Sequence, residues 1–109
     1  MKTLLTAVGL MIVATCLALS GFAAEAKKGK AGEELFNKHC STCHREGGNI
    51  INAKKTLRGK DLKANHILKA EDIVKLMRNP GPGMASYDQK TIPDKDAMEI
   101  ARYILEAFK

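Results

Sequence analysis

Three side chains that can bind a metal or a porphyrin stand close together in the chain, at Cys40, Cys43 and His44. Two residues between the cysteines place both sulfurs on one turn, where each thiol can form a thioether with a vinyl group of haem. The imidazole of His44 can then bind the haem iron as an axial ligand. The sequence Cys-Ser-Thr-Cys-His therefore predicts one covalently attached haem c.

A Cys-x-x-Cys pair also occurs in zinc sites, in thioredoxin-like redox sites and in disulfides. A structural zinc site needs four ligands, and neither a second cysteine pair nor a spaced pair of histidines follows Cys43. A thioredoxin-like pair opens a helix after a strand, whereas these cysteines close a predicted helical stretch. Haem attachment is the favoured interpretation of the motif.

Met84 is predicted to be the other axial ligand of the iron. It follows the Gly-Pro-Gly segment at 81–83, so a loop made rigid by proline and tightly turned by glycine presents it. Its thioether is a soft, weakly basic ligand that favours ferrous iron. Met77 and Met98 fall on predicted helices, where methionine usually packs in the core, and His66 is predicted to lie at the surface or the edge of the core.

Residues 1–26 have the pattern of a secretory signal peptide. Lys2 precedes a nearly unbroken apolar run at 4–19, which is shorter than the roughly 20 residues of a membrane-spanning helix. Small residues follow this run. Cleavage after Ala23 and cleavage after Ala26 both fit the pattern.

The remaining residues, 27–109, suffice for one small domain. Cys16 would leave with the apolar run, so both cysteines of the mature chain belong to the haem motif. A lipid anchor on Cys16 is the weaker alternative, because Thr15 stands where a small Gly, Ala or Ser is normal. We therefore expect a periplasmic protein with no transmembrane helix in its mature form.

Apolar residues at helical spacing predict an all-α domain, and no segment has the alternation of a strand. Helices are expected at 32–40, 60–65, 70–78 and 93–108. Gly32 should let another helix approach closely, unless it merely precedes the helix start. An extended loop is expected at 50–53, and the candidates to cover the haem on the His44 side are Ile51, Leu57 and Leu62.

The charge of the chain favours acidic partners over nucleic acid. The formal net charge is +6, and removing Lys2 and Glu25 with the signal peptide leaves it unchanged. The basic residues are dispersed and few aromatic residues are present for stacking on bases, so no nucleic-acid role is expected. The lysines expected to steer an acidic redox protein are Lys38, Lys54, Lys55 and Lys60.

With its haem motif near one end and Met84 near the other, the mature chain resembles the class I cytochromes c throughout. Gly32-x-x-x-Phe36 and the closing segment 101–104 look like the crossing N- and C-terminal helices of that family. The segments 44–49 and 55–57 are similar to the monohaem cytochrome c6 subgroup. The resemblance implies crossing terminal helices around one covalent haem.

Two departures concern the subgroup. Cytochromes c6 typically have Met-Pro-x-Phe at the ligand methionine, whereas here Ala85 follows Met84 and the aromatic residue is Tyr87. The Pro-Gly-Pro-Gly run at 80–83 is similar to the corresponding segment of short bacterial monohaem cytochromes outside photosynthesis. Because of these departures, the resemblance to the c6 subgroup does not imply a photosynthetic partner.

The residues and the resemblance together predict a monomeric carrier of single electrons. If His44 and Met84 both bind the iron, oxygen and peroxide find no open position, so the chain is not expected to be an enzyme. The alternative is a haem-based sensor or regulatory protein in which a small ligand displaces Met84.

Overall fold

The computed structural model describes residues 29–109, and this part of the chain contains helices and loops but no strand. The four helices are α1 at 29–39, α2 at Gly59–Ala64, α3 at Ala70–Arg78 and α4 at Asp94–Ala107. A short 3-10 turn occupies Arg45–Gly47. The all-α prediction is confirmed. The predicted signal peptide, its cleavage sites and Cys16 lie outside the described residues.

Helix α4 forms because its sequence supplies both a start signal and one apolar face. Pro93 stands at the N-cap with φ −55°, and Asp94 and Asp96 complement the positive N-terminal end of the helix. The buried face consists of Ala97, Ile100, Ala101 and Ile104. The helix bounds agree with the sequence prediction to within a residue.

Helix α3 begins where Asp72 reaches back over its first turn. The carboxylate of Asp72 accepts hydrogen bonds from the backbone N–H groups of Leu68, at 3.0 Å, and Lys69, at 3.1 Å. These bonds satisfy donors that the start of a helix leaves without a partner. Ile73 and Met77 are buried on the face of α3 that packs against α4.

Helices α1 and α4 touch at Gly32. A Cβ atom added at Gly32 would lie 2.6 Å from the carbonyl oxygen of Glu99 and 2.8 Å from Cβ of Tyr103. The predicted close approach is confirmed, and the alternative is wrong because α1 begins before Gly32. The ring of Phe36, one turn later, lies 5.4 Å from the Tyr103 ring and 5.4 Å from the Phe108 ring, measured between centroids.

One hydrophobic core joins the four helices. Its ten buried apolar residues are Phe36, Leu62, Ala70, Ile73, Met77, Ile92, Ala97, Ile100, Ala101 and Ile104. None of the helices within 29–109 is long and apolar enough to cross a membrane. The loops that carry the haem-binding candidates lie at 40–58 and 79–93, between elements of this core.

Candidate functional site

Cys40 and Cys43 lie on a tight turn that closes α1, as the sequence predicted. The N–H of Cys40 donates to the carbonyl of Phe36 at 2.8 Å, and the N–H of His44 donates to the carbonyl of Cys40 at 2.9 Å. Both thiols are free; Cys40 is half-buried and Cys43 is exposed. The turn brings the two sulfurs and the imidazole together on one short segment.

The Cys40 thiol is not set up as a redox nucleophile. Burial raises its pKa from 9.0 to about 11, so it stays protonated near neutral pH. Reactive cysteines of thioredoxin-like sites have a lowered pKa instead. The electrostatics of Cys40 therefore oppose the thioredoxin-like interpretation of the motif.

The imidazole of His44 has a defined tautomer. Its Nδ1 atom lies 2.8 Å from the carbonyl oxygen of Gly48. A carbonyl oxygen only accepts hydrogen bonds, so Nδ1 carries the proton and Nε2 keeps a free lone pair. Metal-binding histidines are commonly oriented in this way, with one ring nitrogen on a backbone carbonyl and the other toward the metal.

The C-terminal end of the chain packs under the His44 loop. Gly47 has φ +77°, a conformation that favours glycine, and a Cβ atom there would lie 2.6 Å from the ring of Phe108. The N–H of Leu57 donates to the carbonyl of Gly47 at 2.7 Å, and the N–H of Gly59 donates to the carbonyl of Phe108 at 2.8 Å. Phe108 thus links the interface between α1 and α4 to the loop that orients His44.

The next loop is more tightly turned than the sequence suggested. Oδ1 of Asn49 accepts from the N–H groups of Ile51 and Asn52, each at 2.9 Å, and Oδ1 of Asn52 accepts from Lys54 N–H at 3.0 Å. The expectation of an extended loop at 50–53 was wrong, because two asparagine side chains each close a local turn.

Met84 lies in the loop between α3 and α4, with 38% of its surface exposed. The preceding residue, Gly83, has φ +93°, and a Cβ atom there would lie 3.2 Å from Cγ2 of Ile51. The Met84 loop therefore contacts the loop that follows His44. Met77 is buried in the core and Met98 packs against it, as predicted.

Tyr87 joins the Met84 loop to the haem motif. Its N–H donates to the carbonyl of Met77 at 2.8 Å, and its hydroxyl donates to the carbonyl of His39, next to Cys40, at 3.1 Å. Burial raises the pKa of the Tyr87 phenol, which keeps the donating proton on the oxygen. Sequence reasoning missed this link because its two ends are far apart in the chain.

Arg78, the last residue of α3, was also missed. Its Nη1 donates to the carbonyls of Tyr87, at 3.0 Å, and Ile92, at 2.9 Å, while Nη2 lies 2.7 Å from Oδ1 of Asp94. The sequence signal that could have indicated this role is an arginine at a helix end, directly before Asn79-Pro80. His66, in contrast, is exposed, as predicted.

The residues present fit a haem. Within 29–109 no group of three or more His, Cys, Asp or Glu side chains could hold a metal ion unaided. Two axial donors suffice when a porphyrin supplies the other ligands. Large apolar side chains that could cover a porphyrin face are exposed. Ile50, Ile51 and Met84 lie in the two loops, and Leu68 lies between α2 and α3. The two other predicted covering residues, Leu57 and Leu62, are half-buried and buried.

Comparison with known proteins shows the family of the chain. The family model described as cytochrome c oxidase, cbb3-type, subunit III matches residues 27–104. Cytochrome c6 of Cyanidioschyzon merolae is 36% identical over 78 residues, which span 72% of this chain and 73% of that protein. Cytochrome c6 of a Synechococcus species is 31% identical over 108 residues, spanning 97% and 93%. Across eight similar curated proteins, the aligned share of the relative's length ranges from 62% to 93%.

The solved structures that are similar to this chain are also c-type cytochromes. The outer membrane cytochrome F, OmcF, of Geobacter sulfurreducens is 41% identical with a TM-score of 0.70, covering 72% of this chain and 99% of that one. Cytochrome c6C of a Synechococcus species is 26% identical with a TM-score of 0.67, covering 72% and 94%.

The chain belongs to the class I cytochromes c and is a monohaem, cytochrome c6-like member of that family. It is a small c-type cytochrome of electron transfer and not an enzyme, and membership implies haem c as its cofactor.

Proposed function

We propose that the mature chain is an exported cytochrome that carries single electrons between periplasmic or membrane redox partners. One haem would be held covalently by Cys40 and Cys43 and axially by His44 and Met84. The observation that carries the proposal is the hydrogen bond from His44 Nδ1 to Gly48, because it leaves Nε2 free to bind iron beside two free thiols. When bound, the haem iron accepts and releases one electron.

Each protein group has a separate role. Cys40 and Cys43 would each add their S–H across one vinyl group, so that the sulfur forms the thioether and the proton goes to the other vinyl carbon. His44 would bind through Nε2 while Gly48 holds its ring orientation. Met84 would complete the axial pair, and its thioether favours the reduced metal, which raises the reduction potential.

The surface supports a partner of opposite charge. The net charge is +6, and the four steering lysines named from the sequence are all exposed. Such charges act mainly on the rate of encounter with an acidic docking surface and on its orientation. We propose an acidic redox protein as the partner and a monomer as the working state.

Export is proposed from the signal-peptide pattern at 1–26, with a lipid anchor on Cys16 as the weaker form. A second candidate function is a haem sensor in which a small ligand displaces Met84. The observation that favours it is the loop itself, because residues 80–86 form no hydrogen bond to another part of the described chain and only a turn at 82–83 closes within the loop. A sensor would bind carbon monoxide readily when reduced, whereas a carrier with a firm Met84 bond would bind it poorly.

Intact-mass spectrometry of the protein recovered from a periplasmic fraction tests covalent attachment and export together. The expected mass is that of a chain beginning at Ala24 or Lys27 plus one haem. The matched variants Cys40→Ala and Cys43→Ala should each retain one thioether at most. A periplasmic chain with no haem mass and two thiols open to alkylation would contradict the proposal.

A further inference from the structure

The hydrogen bonds that hold the Met84 loop to the rest of the molecule lie at its base. The base is closed where Tyr87 N–H donates to the carbonyl of Met77 at 2.8 Å. Between these points, residues 80–86 form no hydrogen bond to another part of the described chain, although a turn at 82–83 closes within the loop. The position of Met84 therefore depends on hydrogen bonds at the base of the loop, on the packing of Gly83 against Ile51 and on the stiffness of the prolines.

Arg78 makes most of the contacts at that base. Its guanidinium donates to the carbonyl of Tyr87, three residues after Met84, and to the carbonyl of Ile92, at the far end of the loop. It also pairs with Asp94, the first residue of α4. One side chain thus joins the end of α3, the returning segment of the loop at Tyr87 and the start of α4.

The surroundings of Arg78 make these contacts stronger than those of an ordinary surface arginine. Its side chain is 20% exposed, while the Asp94 side chain is 66% exposed. The two backbone carbonyls accept from a charged donor in a partly desolvated place, where such hydrogen bonds are stronger than neutral ones. Arginine suits this task because its planar guanidinium spreads five N–H donors over three nitrogens in a fixed geometry, whereas the three donors of lysine share one nitrogen.

We propose that Arg78 is a positioning residue that sets how firmly Met84 stays bound to the iron. The inference rests on the proposed His44 and Met84 ligation and deepens it. By fixing Tyr87 and Ile92 relative to α3, Arg78 restricts the loop to conformations that present the thioether. Without it, the loop samples more conformations in which Met84 is away from the metal.

Imidazole binding to the ferric iron of the purified holoprotein measures how often Met84 leaves the metal, because imidazole competes with Met84 for the same position. The apparent dissociation constant of an outside ligand falls as the fraction of molecules with Met84 off the iron rises. Arg78→Ala should tighten apparent imidazole binding about tenfold, on the order expected for one lost charge-assisted hydrogen bond. Arg78→Lys should fall between Arg78→Ala and the wild type, because lysine can keep only part of the contact set.

Two control variants separate positioning from general stability. Arg102→Ala removes an exposed arginine of α4 and should leave imidazole binding unchanged. Asp72→Asn weakens the start of α3, away from the loop, and should lower the melting temperature without changing imidazole affinity. Equal tightening in Asp72→Asn and Arg78→Ala would overturn the proposal, because it would show an effect of stability alone.

Unchanged imidazole affinity in Arg78→Ala would also overturn it. If Arg78→Ala does not fold, Arg78→Lys and Asp94→Asn give the same test with smaller expected shifts, and wild-type affinity in both would be decisive against it. Met84→Ala distinguishes the underlying ligation: imidazole affinity equal to the wild type in that variant would show that Met84 does not bind the iron. If imidazole binds more tightly to Met84→Ala than to the wild type but binds Arg78→Ala with wild-type affinity, the Met84 ligation is supported and only the role of Arg78 is refuted.

Discussion

At the scale of single residues, the site depends on small groups whose neighbours leave little space. Gly48 supplies the carbonyl that fixes the His44 tautomer, and Gly47 leaves room for the Phe108 ring. Gly32 allows the backbones of α1 and α4 to touch. These three positions supply no reactive side chain, but their contacts help to position the candidate haem-binding residues.

Replacing Gly32 by alanine should destabilise the protein. The added methyl would meet the Glu99 carbonyl at 2.6 Å, so α1 and α4 must move apart, at a cost of about 1–3 kcal/mol. Urea unfolding measures this cost. Gly29→Ala is the matched control, since no atom lies within 4 Å of its added Cβ and alanine is the better helix former by roughly 0.5–1 kcal/mol. Equal stability of the two variants would show that the helices are not in close contact.

At the scale of elements, the helices follow from local signals and the loops do not. Apolar spacing, Pro93 and Asp94 predicted α4, and the acidic first turn with Asn79-Pro80 predicted α3. Helix α1 extends farther toward the N-terminus than expected because Gly32 is tolerated where a neighbouring helix requires it.

The contacts of the Met84 loop could not be predicted in the same way. Arg78 reaches Ile92 across fourteen residues, and Tyr87 reaches His39 across forty-eight. Residue periodicity predicts which face of a helix is buried. It does not predict which backbone carbonyl a side chain will contact in a segment that is distant in the sequence. Cys40, Cys43 and His44 could be proposed from the sequence as a haem site because they are adjacent, and Met84 could be proposed as a ligand only because it is a lone methionine in a Gly/Pro loop.

The start of α3 should make stability depend on pH. The hydrogen bond from Leu68 N–H, helped by Lys69, lowers the pKa of Asp72 from its ordinary value of 3.8 in spite of some desolvation. A lowered pKa in the folded state stabilises the fold above the unfolded-state pKa, and this stabilisation is lost as the pH falls through the folded-state pKa. Asp72→Asn should therefore be less stable than the wild type at pH 7, and the difference should shrink as the pH is lowered below about 4.

Thermal or urea unfolding between pH 7 and pH 3 checks this expectation. Glu71→Gln is the control, because Glu71 lies in the same first turn but does not accept the two backbone hydrogen bonds. It should lose less stability than Asp72→Asn. A stability difference for Asp72→Asn that stayed constant over this pH range would contradict the role given to the carboxylate.

At the scale of the whole molecule, two loops that hold the candidate ligands are tied to one helical core. Phe108 connects the His44 loop to the interface of α1 and α4, and Tyr87 connects the Met84 loop to the end of α1. Outside this core the surface is basic, with a net charge of +6 for the chain. The molecule therefore joins the loops of the proposed haem site to a single core, and the proposed acidic partner would meet a basic surface.

Electron transfer to an acidic partner protein should slow as salt is added. The Debye length falls from about 30 Å at 0.01 M to about 8 Å at 0.15 M, so the second-order rate should drop roughly tenfold over this range. Stopped-flow mixing measures the rate, and an uncharged small-molecule reductant serves as the control with no expected salt dependence. A rate that is indifferent to ionic strength would remove the steering role of the lysines.

The central claim is that His44 and Met84 are the two axial ligands of one haem. The most direct measurement is the weak far-red sulfur-to-iron absorbance band of the oxidised protein, compared among the wild type, Met84→Ala and the core controls Met77→Leu and Met98→Leu. The band should be present in the wild type and in both controls and should be lost in Met84→Ala. Persistence of the band in Met84→Ala, with its loss in Met77→Leu or Met98→Leu, would show that Met84 is not the axial ligand.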